Sequence, residues 1–566
     1  MMQRSAGRML TLAVSAALFG IAVAQNPSTD ASAWKAGHVI VNPAVRHDRS
    51  APLMALYGTY KLPSPPHWLH HPPIRQTTQP PPTPPATITA AGAAVEQVRE
   101  GTRPAAKLVA SFDGLGDGFH GPQGDEQARN PSDNSLGIGP DDIVQIVNSR
   151  MAIFTKKGKQ YQETGRTLFG PAITNTLFAG FGGPCESLIS GDAVVRYDQL
   201  AKRWLFVLPI FRRPEDQPNA PYAMCYAVST GPDPMGSYYR YQFNRPLFPD
   251  YPRPAIWSNG YYLPTSTGDT VIQKQLCAAD RGRMLRGEAA DEQCEIIDGV
   301  NFLNAADIDG TRLPPVNMPE IVMAAGGTQL HGVLESDRLD AWRYHVDWAN
   351  PANTSLTGPE KIAVAPYHYL CTGQLSHCVP QPGTDVRLDS QGDKLMQRLA
   401  YRNFGNYQAI VATHSIDTRA GGGVRWYEFR LNADGTPQLY QQGTYAPDGG
   451  YRWMGSIAMD HHGDIGVGYS FGSASTYPGQ RFAARLQQDP KGQMTLHEAV
   501  LAEGEAAQTD TLRWEDYTTL DIDPSDGCTF WYVGDYLQKG AANYSTKIGG
   551  FRLPGCTVRH KLLGVF

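Results

Sequence analysis

Ser456-Ile457-Ala458-Met459-Asp460, then His461-His462-Gly463-Asp464, then Ile465-Gly466-Val467-Gly468-Tyr469-Ser470 reads as one β-hairpin. A short apolar run closes on Asp, a polar turn containing Gly follows, and a second apolar run returns. The unit recurs as Val194-Val195-Arg196-Tyr197-Asp198 before Trp204-Leu205-Phe206-Val207. It recurs again as Leu520-Asp521-Ile522-Asp523, Pro524-Ser525-Asp526-Gly527 and the run from Cys528 to Val533. Asp and Gly hold the tight turn while the flanking runs pair, and a degenerate hairpin repeated around an axis predicts an all-β propeller. The length fits six or seven blades; a β-sandwich is the alternative.

Outward from these units, the chain from about Leu108 to its end breaks into apolar runs of four to eight residues separated by Gly, Asn, Asp and Pro, the pattern of short antiparallel strands. Helical periodicity is scarce. Gly282 to Asp291 reads as a short surface helix, with Cys277 and Cys294 placed to staple it. Residues 25–107 carry Pro63, Pro65, Pro66, Pro72, Pro73 and a cluster from Pro80 to Pro85, which remove backbone donors, so this region is expected to be an extended arm or linker. Residues 1–24 read as a signal peptide: Arg4 and Arg8, an apolar run from Met9 to Val23, and small residues at Ala22 and Ala24 before a cut. The expected organisation is therefore signal 1–24, arm 25–107 and propeller 108–566.

The charge balance is nearly even, 49 basic against 54 acidic residues, with no block of one sign, which argues against nucleic acid or anionic membrane as the principal partner. No segment after the signal is apolar for a membrane thickness. Eight cysteines in an exported chain without a zinc or haem spacing imply disulfides and a secreted or periplasmic location. Neighbours in sequence give the pairs Cys277 with Cys294, Cys371 with Cys378 and Cys528 with Cys556, leaving Cys185 for Cys225, one of many connectivities that eight cysteines allow.

The last hairpin resembles the Asp-box turn of sialidase-type propellers, with Gly527, Thr529 and Phe530 at its close, although Ser525 stands where that turn has its Asp and Asp526 comes one place late. Longer strings, Asn134-Ser135-Leu136-Gly137-Ile138-Gly139-Pro140, Ala227 to Pro234, Tyr451-Arg452-Trp453-Met454-Gly455-Ser456, Arg425-Trp426-Tyr427-Glu428 and Trp514-Glu515-Asp516-Tyr517, are similar to those of a widespread group of exported, largely uncharacterised bacterial propeller-like proteins. The resemblance implies the fold and no activity.

Chemistry must then come from residue types. Arg398, Arg402, Arg425, Arg452, Arg481 and Arg485 lie among aromatics; guanidinium forks match carboxylates and aromatic faces match sugar rings, so Arg402, Arg425 and Arg452 with Trp426 and Trp453 are candidate binders of an acidic saccharide. Pairing with Asp on separate blades is the alternative. Strand alternation sets Glu428 beside Trp426, where an indole disfavours the ionised carboxyl and suits it to general-acid work, unless Arg430 claims it. Asp516 or Tyr517 would complete a glycosidase-type pair with Glu428, or form a strand-entry turn. His414 with Arg402 and Tyr401 has the types of a uronate lyase base, or is a buried structural His.

The turn around His461-His462 has metal-ligand types between Asp460 and Asp464 but reads as solvated. Asp113 to Gly118 and Asp307-Ile308-Asp309-Gly310 are acidic enough to hold structural calcium, without the spacing of an EF-hand; no other cofactor is expected. Two functions follow: an exported carbohydrate-binding or carbohydrate-cleaving propeller, as glycoside hydrolase or lyase, or a non-catalytic adhesion module for a protein partner.

Overall fold

The computed structural model describes residues 34–61, 88–126, 130–213, 217–266, 274–373 and 377–556. The signal reading and the whole proline cluster from Pro63 to Pro85 lie outside them. The described chain is mostly β-strand with a few short helices in a propeller-like arrangement of antiparallel meanders. Four sheets of four or five strands stand separately, where six or seven blades were expected. The remaining meanders merge into one 13-stranded sheet, because parallel pairings such as Ala306 with Leu399 and Gly422 with Tyr451 join the edge of one to the next. The first strands of successive meanders, among them Ser135–Ile138, Val194–Asp198, Asn304–Ile308, Leu399–Asn403 and Thr519–Ile522, contact their neighbours and form the inner wall.

The repeated Asp does what the sequence suggests. Asp198 Oδ1 accepts hydrogen bonds from the backbone N–H of Leu200 (3.0 Å) and Ala201 (2.9 Å). Asp460 Oδ1 accepts from His462 N (2.8 Å) and Asp464 N (3.0 Å), with Gly463 left-handed at φ 89°. In the last turn Asp526, one place late, takes over the closure by accepting from Cys528 N (2.9 Å), Thr529 N (2.8 Å) and Thr529 Oγ1 (2.6 Å). Such Asx turns satisfy donors that a tight reversal leaves without strand partners.

Between the meanders the core is aromatic. Trp204 is fully buried, with Nε1 donating to Pro232 O at 2.8 Å, and a Cβ on Gly139 would lie 2.6 Å from its ring. The glycines of the string from Asn134 to Pro140 thus make room for that indole; burying a side chain of this size stabilises by about 2–3 kcal/mol.

The four disulfides, Cys185–Cys225, Cys277–Cys294, Cys371–Cys378 and Cys528–Cys556, are the sequence-neighbour set and fit an oxidising, non-cytoplasmic setting. The expected helix runs Arg281–Arg286 rather than to Asp291: Asp280 caps it, Gly287 turns left-handed at φ 73°, and Asp291 already opens the next strand. Ile40–Pro43 and Arg46–Arg49, in the segment read as an arm, add the outer strands to two of the sheets, with Ile40 opposite Cys294 and Arg49 opposite Tyr239. Lys107–Asp113 pairs with Ser545–Arg552, so early and late segments complete one sheet together. Among the described residues, no helix is long and apolar enough to cross a membrane.

Candidate functional site

Several inner strands are entered through residues with left-handed backbone: Asp133 (φ 49°), Asp192 (φ 52°), Tyr251 (φ 52°), Glu515 (φ 56°) and Asp516 (φ 69°). A non-glycine residue in that region costs about 1–2 kcal/mol, and such strain concentrates where function fixes a side chain. These residues meet. Asp133 N donates to Glu515 O (2.7 Å), Asn134 N to Tyr517 O (3.1 Å), and Gln391 Nε2 to Asp516 Oδ1 (3.1 Å). The Tyr251 and Tyr517 rings pack edge to face at 5.2 Å. The carboxyls of Asp133 and Asp250 both act on that of Asp192. Asp133 and Tyr517 are buried, whereas Asp192 and Asp250 are partly exposed, so one flank of the cluster faces solvent.

Charge is unevenly compensated across this cluster. Burial, followed by the nearby Asp192 and Asp516, pushes Asp133 well above the usual carboxylate range. Asp192 is also pushed well up, first by burial and then by Asp250. Both therefore hold a proton more readily than a free Asp. Asp516, by contrast, is ion-paired to Arg513, which also reaches Asp389 at 2.9 Å. Burial and the neighbouring Asp133 and Asp192 raise Tyr517 well above a free phenol, and its buried hydroxyl has no hydrogen-bond partner. Arg253 stacks over Tyr251 at 4.2 Å, and Lys394 pairs with Asp393 at 2.9 Å. Carboxyls whose surroundings differ in this way can divide acid and base roles.

Further along the inner wall lies a second buried charge group. Arg398 binds Asp307 (2.8 Å), Asp309 (2.7 Å) and Asp521 (3.0 Å), and Arg196 lies 3.4 Å from Asp307. This accounts for one acidic stretch read as a calcium site, since a guanidinium occupies its carboxylates. In the other stretch, Asp113 accepts from Tyr536 Oη (2.6 Å) and Lys547 Nζ (2.7 Å).

The structure brings Asp516 and Tyr517 into the acidic cluster, but not Glu428. That side chain lies on Gly422–Leu431, the third strand of its meander, paired with Arg430 at 2.5 Å and hydrogen-bonded by Gln441. His414 and Arg425 are direct cross-strand neighbours in the same meander. His414 is buried among Tyr367, Tyr369 and Tyr427, with Nε2 2.9 Å from Tyr427 Oη; burial, then Arg425, hold it well below the usual imidazole range. Arg425 donates to Thr444 Oγ1 (2.6 Å) and Ala365 O (3.0 Å).

Arg452 is fully buried between Asp448 (2.8 Å) and Glu498 (2.7 Å). Arg402 donates to Met459 O (2.9 Å) from the far end of its inner strand. Trp426 and Trp453 are core residues. The three arginines come from three different strands, Arg425 and Arg452 each next to its indole in sequence, and each guanidinium is engaged by protein groups of its own surroundings. A cavity of about 650 Å³ lined by Asp298, Glu335, Arg338 and Asp340 contains none of the expected site residues.

Asp133, Asp192 and Asp250 were missed from the sequence. Their signal was a recurring Asp just ahead of an inner strand, twice followed by Tyr, as in Asp250-Tyr251 and Asp516-Tyr517.

No protein-family model matches the chain, and no curated protein matches its sequence. Among solved structures, a protein of unknown function from Dyadobacter fermentans is similar at TM-score 0.35 and 9% identity, covering 80% of this chain and 100% of its own. The extracellular domains of Drosophila Semaphorin 1b give 0.32 and 8%, covering 80% and 88%. A polysaccharide lyase of family PL25, an ulvan lyase, gives 0.27 and 10%, covering 76% and 81%.

Proposed function

We propose that the protein is an exported propeller that binds and hydrolyses an extracellular glycan at the acidic cluster of Asp133, Asp192, Asp250 and Asp516. The observation that carries this reading is the convergence, from separate meanders, of proton-holding carboxyls (Asp133 and Asp192) with an arginine-paired one (Asp516). Glycoside hydrolysis needs such a division: a protonated carboxyl for the leaving oxygen and a carboxylate for the water or the sugar. Asp192, partly exposed, is the general acid and Asp516 is the carboxylate partner, with Tyr251 and Tyr517 packed behind them as support.

The arginines read as binding an acidic saccharide are engaged within the protein, and a cluster rich in carboxyls repels uronates. The proposed ligand is therefore a neutral or amino-sugar glycan.

The test is incubation of purified protein with neutral, amino-sugar and acidic polysaccharides, reading reducing ends and the absorbance of unsaturated uronates. Reducing ends from a neutral or amino-sugar polymer, abolished in Asp192→Asn, support the reading; no turnover on any polymer sinks it. The second reading, a non-catalytic adhesion module for a protein partner, is favoured by the scattering of the expected arginines over several strands, and retention of a surface protein without turnover would support it.

A further inference from the structure

The hairpin turn at Asp460 to Asp464 holds a cluster that the glycan reading does not use. Ligand atoms of Asp460, His462 and Asp464 all lie within 4.8 Å of one another. The turn fixes all three: Asp460 follows the strand Tyr451–Met459, Asp464 precedes Ile465–Ser473, and left-handed Gly463 lets His462 fold back over the reversal.

Asp460 is the informative member. Its Oδ1 accepts the two turn N–H groups, but Oδ2 has no hydrogen-bond partner, although the residue is fully buried. A buried carboxylate oxygen left unmade costs about 1–3 kcal/mol or more, so an unsatisfied one asks for a partner. That atom lies 3.6 Å from His462 Nδ1, too far for a hydrogen bond. Two ligands about 2.1 Å from a tetrahedral ion stand about 3.4 Å apart, so the separation suits a metal between them.

Arg402, whose charge acts on Asp460, spends its Nε hydrogen on Met459 O, and Asp460 Oδ2 takes no hydrogen bond from it. Asp464 Oδ1 accepts from Gln487 N at 2.7 Å, which fixes the second carboxylate. The His461 ring, tilted 47° to that of His462 with centroids 4.0 Å apart, has Nδ1 2.9 Å from Gly527 O and so stays outside the set.

We infer that Asp460, His462 and Asp464 form a binding site for a divalent transition ion, zinc by preference, with one coordination position open. One imidazole and two carboxylates suit zinc, cobalt or manganese better than calcium, which seeks six or more oxygens. His462 is 42% exposed, so the ion can enter from solvent. Bound there, it would tie together the two strands of this hairpin beside the turn at Gly527.

The experiment is calorimetric titration of the chelator-treated full-length protein with Zn²⁺, and of the same protein with Co²⁺ followed by visible absorption. The expected result is a saturable site with cobalt d–d bands of low-coordinate intensity. His462→Ala, an exposed change that leaves the fold intact, and Asp464→Asn should each weaken the site by at least about tenfold and remove the bands. His461→Ala and His120→Ala, which alter imidazoles outside the set, should keep both. Absence of saturable binding in the unmodified protein overturns the inference, as does His462→Ala retaining the site and the bands.

Discussion

The Tyr251 hydroxyl donates to the backbone carbonyl of Asp516 at 2.6 Å across a sequence separation of 265 residues. That bond ties the entry of one inner strand to the entry of another and holds the Asp516 backbone where the carboxyls meet. Tyr251→Phe should therefore lower turnover of any active glycan more than it lowers melting temperature, because a displaced carboxylate disturbs alignment before it disturbs packing. Steady-state kinetics beside a thermal melt checks this.

Asp192→Asn and Asp516→Asn should each reduce kcat by about 10²–10⁴ with smaller changes in KM, the range for losing a proton-transfer group. Asp192→Asn also removes an acidic neighbour of Asp133 and should cost little stability, whereas Asp516→Asn also takes one partner from Arg513 and should lower the melting temperature, with Asp389 still paired to that guanidinium. A fall in KM-dependent binding alone, with kcat unchanged, would assign these residues to recognition instead of chemistry.

Arg398 holds three buried carboxylates, so Arg398→Met leaves Asp309 and Asp521 without their guanidinium and Asp307 with Arg196 as its remaining ion-pair partner. Removing one side of a buried charge group typically costs about 3–5 kcal/mol. Chemical denaturation should show a loss of that size, and Asp307→Asn in the same background should restore part of it.

Burial, reinforced by the nearby Asp233 and Asp141, pushes Asp142 up to about 7. The sign follows from linkage: the folded state keeps a proton that the unfolded chain releases near pH 4, so this stability is complete below about pH 4 and is lost as pH rises to about 7. Urea midpoints at pH 5 and pH 8 should favour the lower pH, by an amount that Asp142→Asn reduces. The ceiling for this one group is about 4 kcal/mol.

Gly139→Ala should destabilise by about 1–3 kcal/mol, because its methyl meets the Trp204 ring and the core cannot shift an indole cheaply. Adding Trp204→Phe, which frees that space, should recover part of the loss in a double-mutant melt.

Much of the fold was legible because its signals are local. The turn at Asp460 and Gly463, the run from Trp204 to Val207 and the cysteine neighbours each carry their geometry within a few residues. The blade count was not, since whether Gly422 pairs with Tyr451 across two meanders depends on how strand edges approach, which no short window contains. The site failed for a related reason. Glu428 and Arg425 lie on one strand but on its opposite faces, and each is engaged by a near neighbour, Arg430 for the carboxylate and Thr444 for the guanidinium, which residue type alone does not reveal. Asp133 and Asp192 drew no notice because a lone Asp before a strand is an ordinary turn residue until the ring brings several of them together.

Ile40–Pro43 and Arg46–Arg49 lie against the outermost strands of two different sheets. A form of the protein lacking residues 34–61 would leave two rows of amide and carbonyl groups open to any passing β-strand, including that of another copy. Its defect would then be colloidal, a concentration-dependent growth of oligomers in light scattering while the inner wall and its carboxyls stay in place.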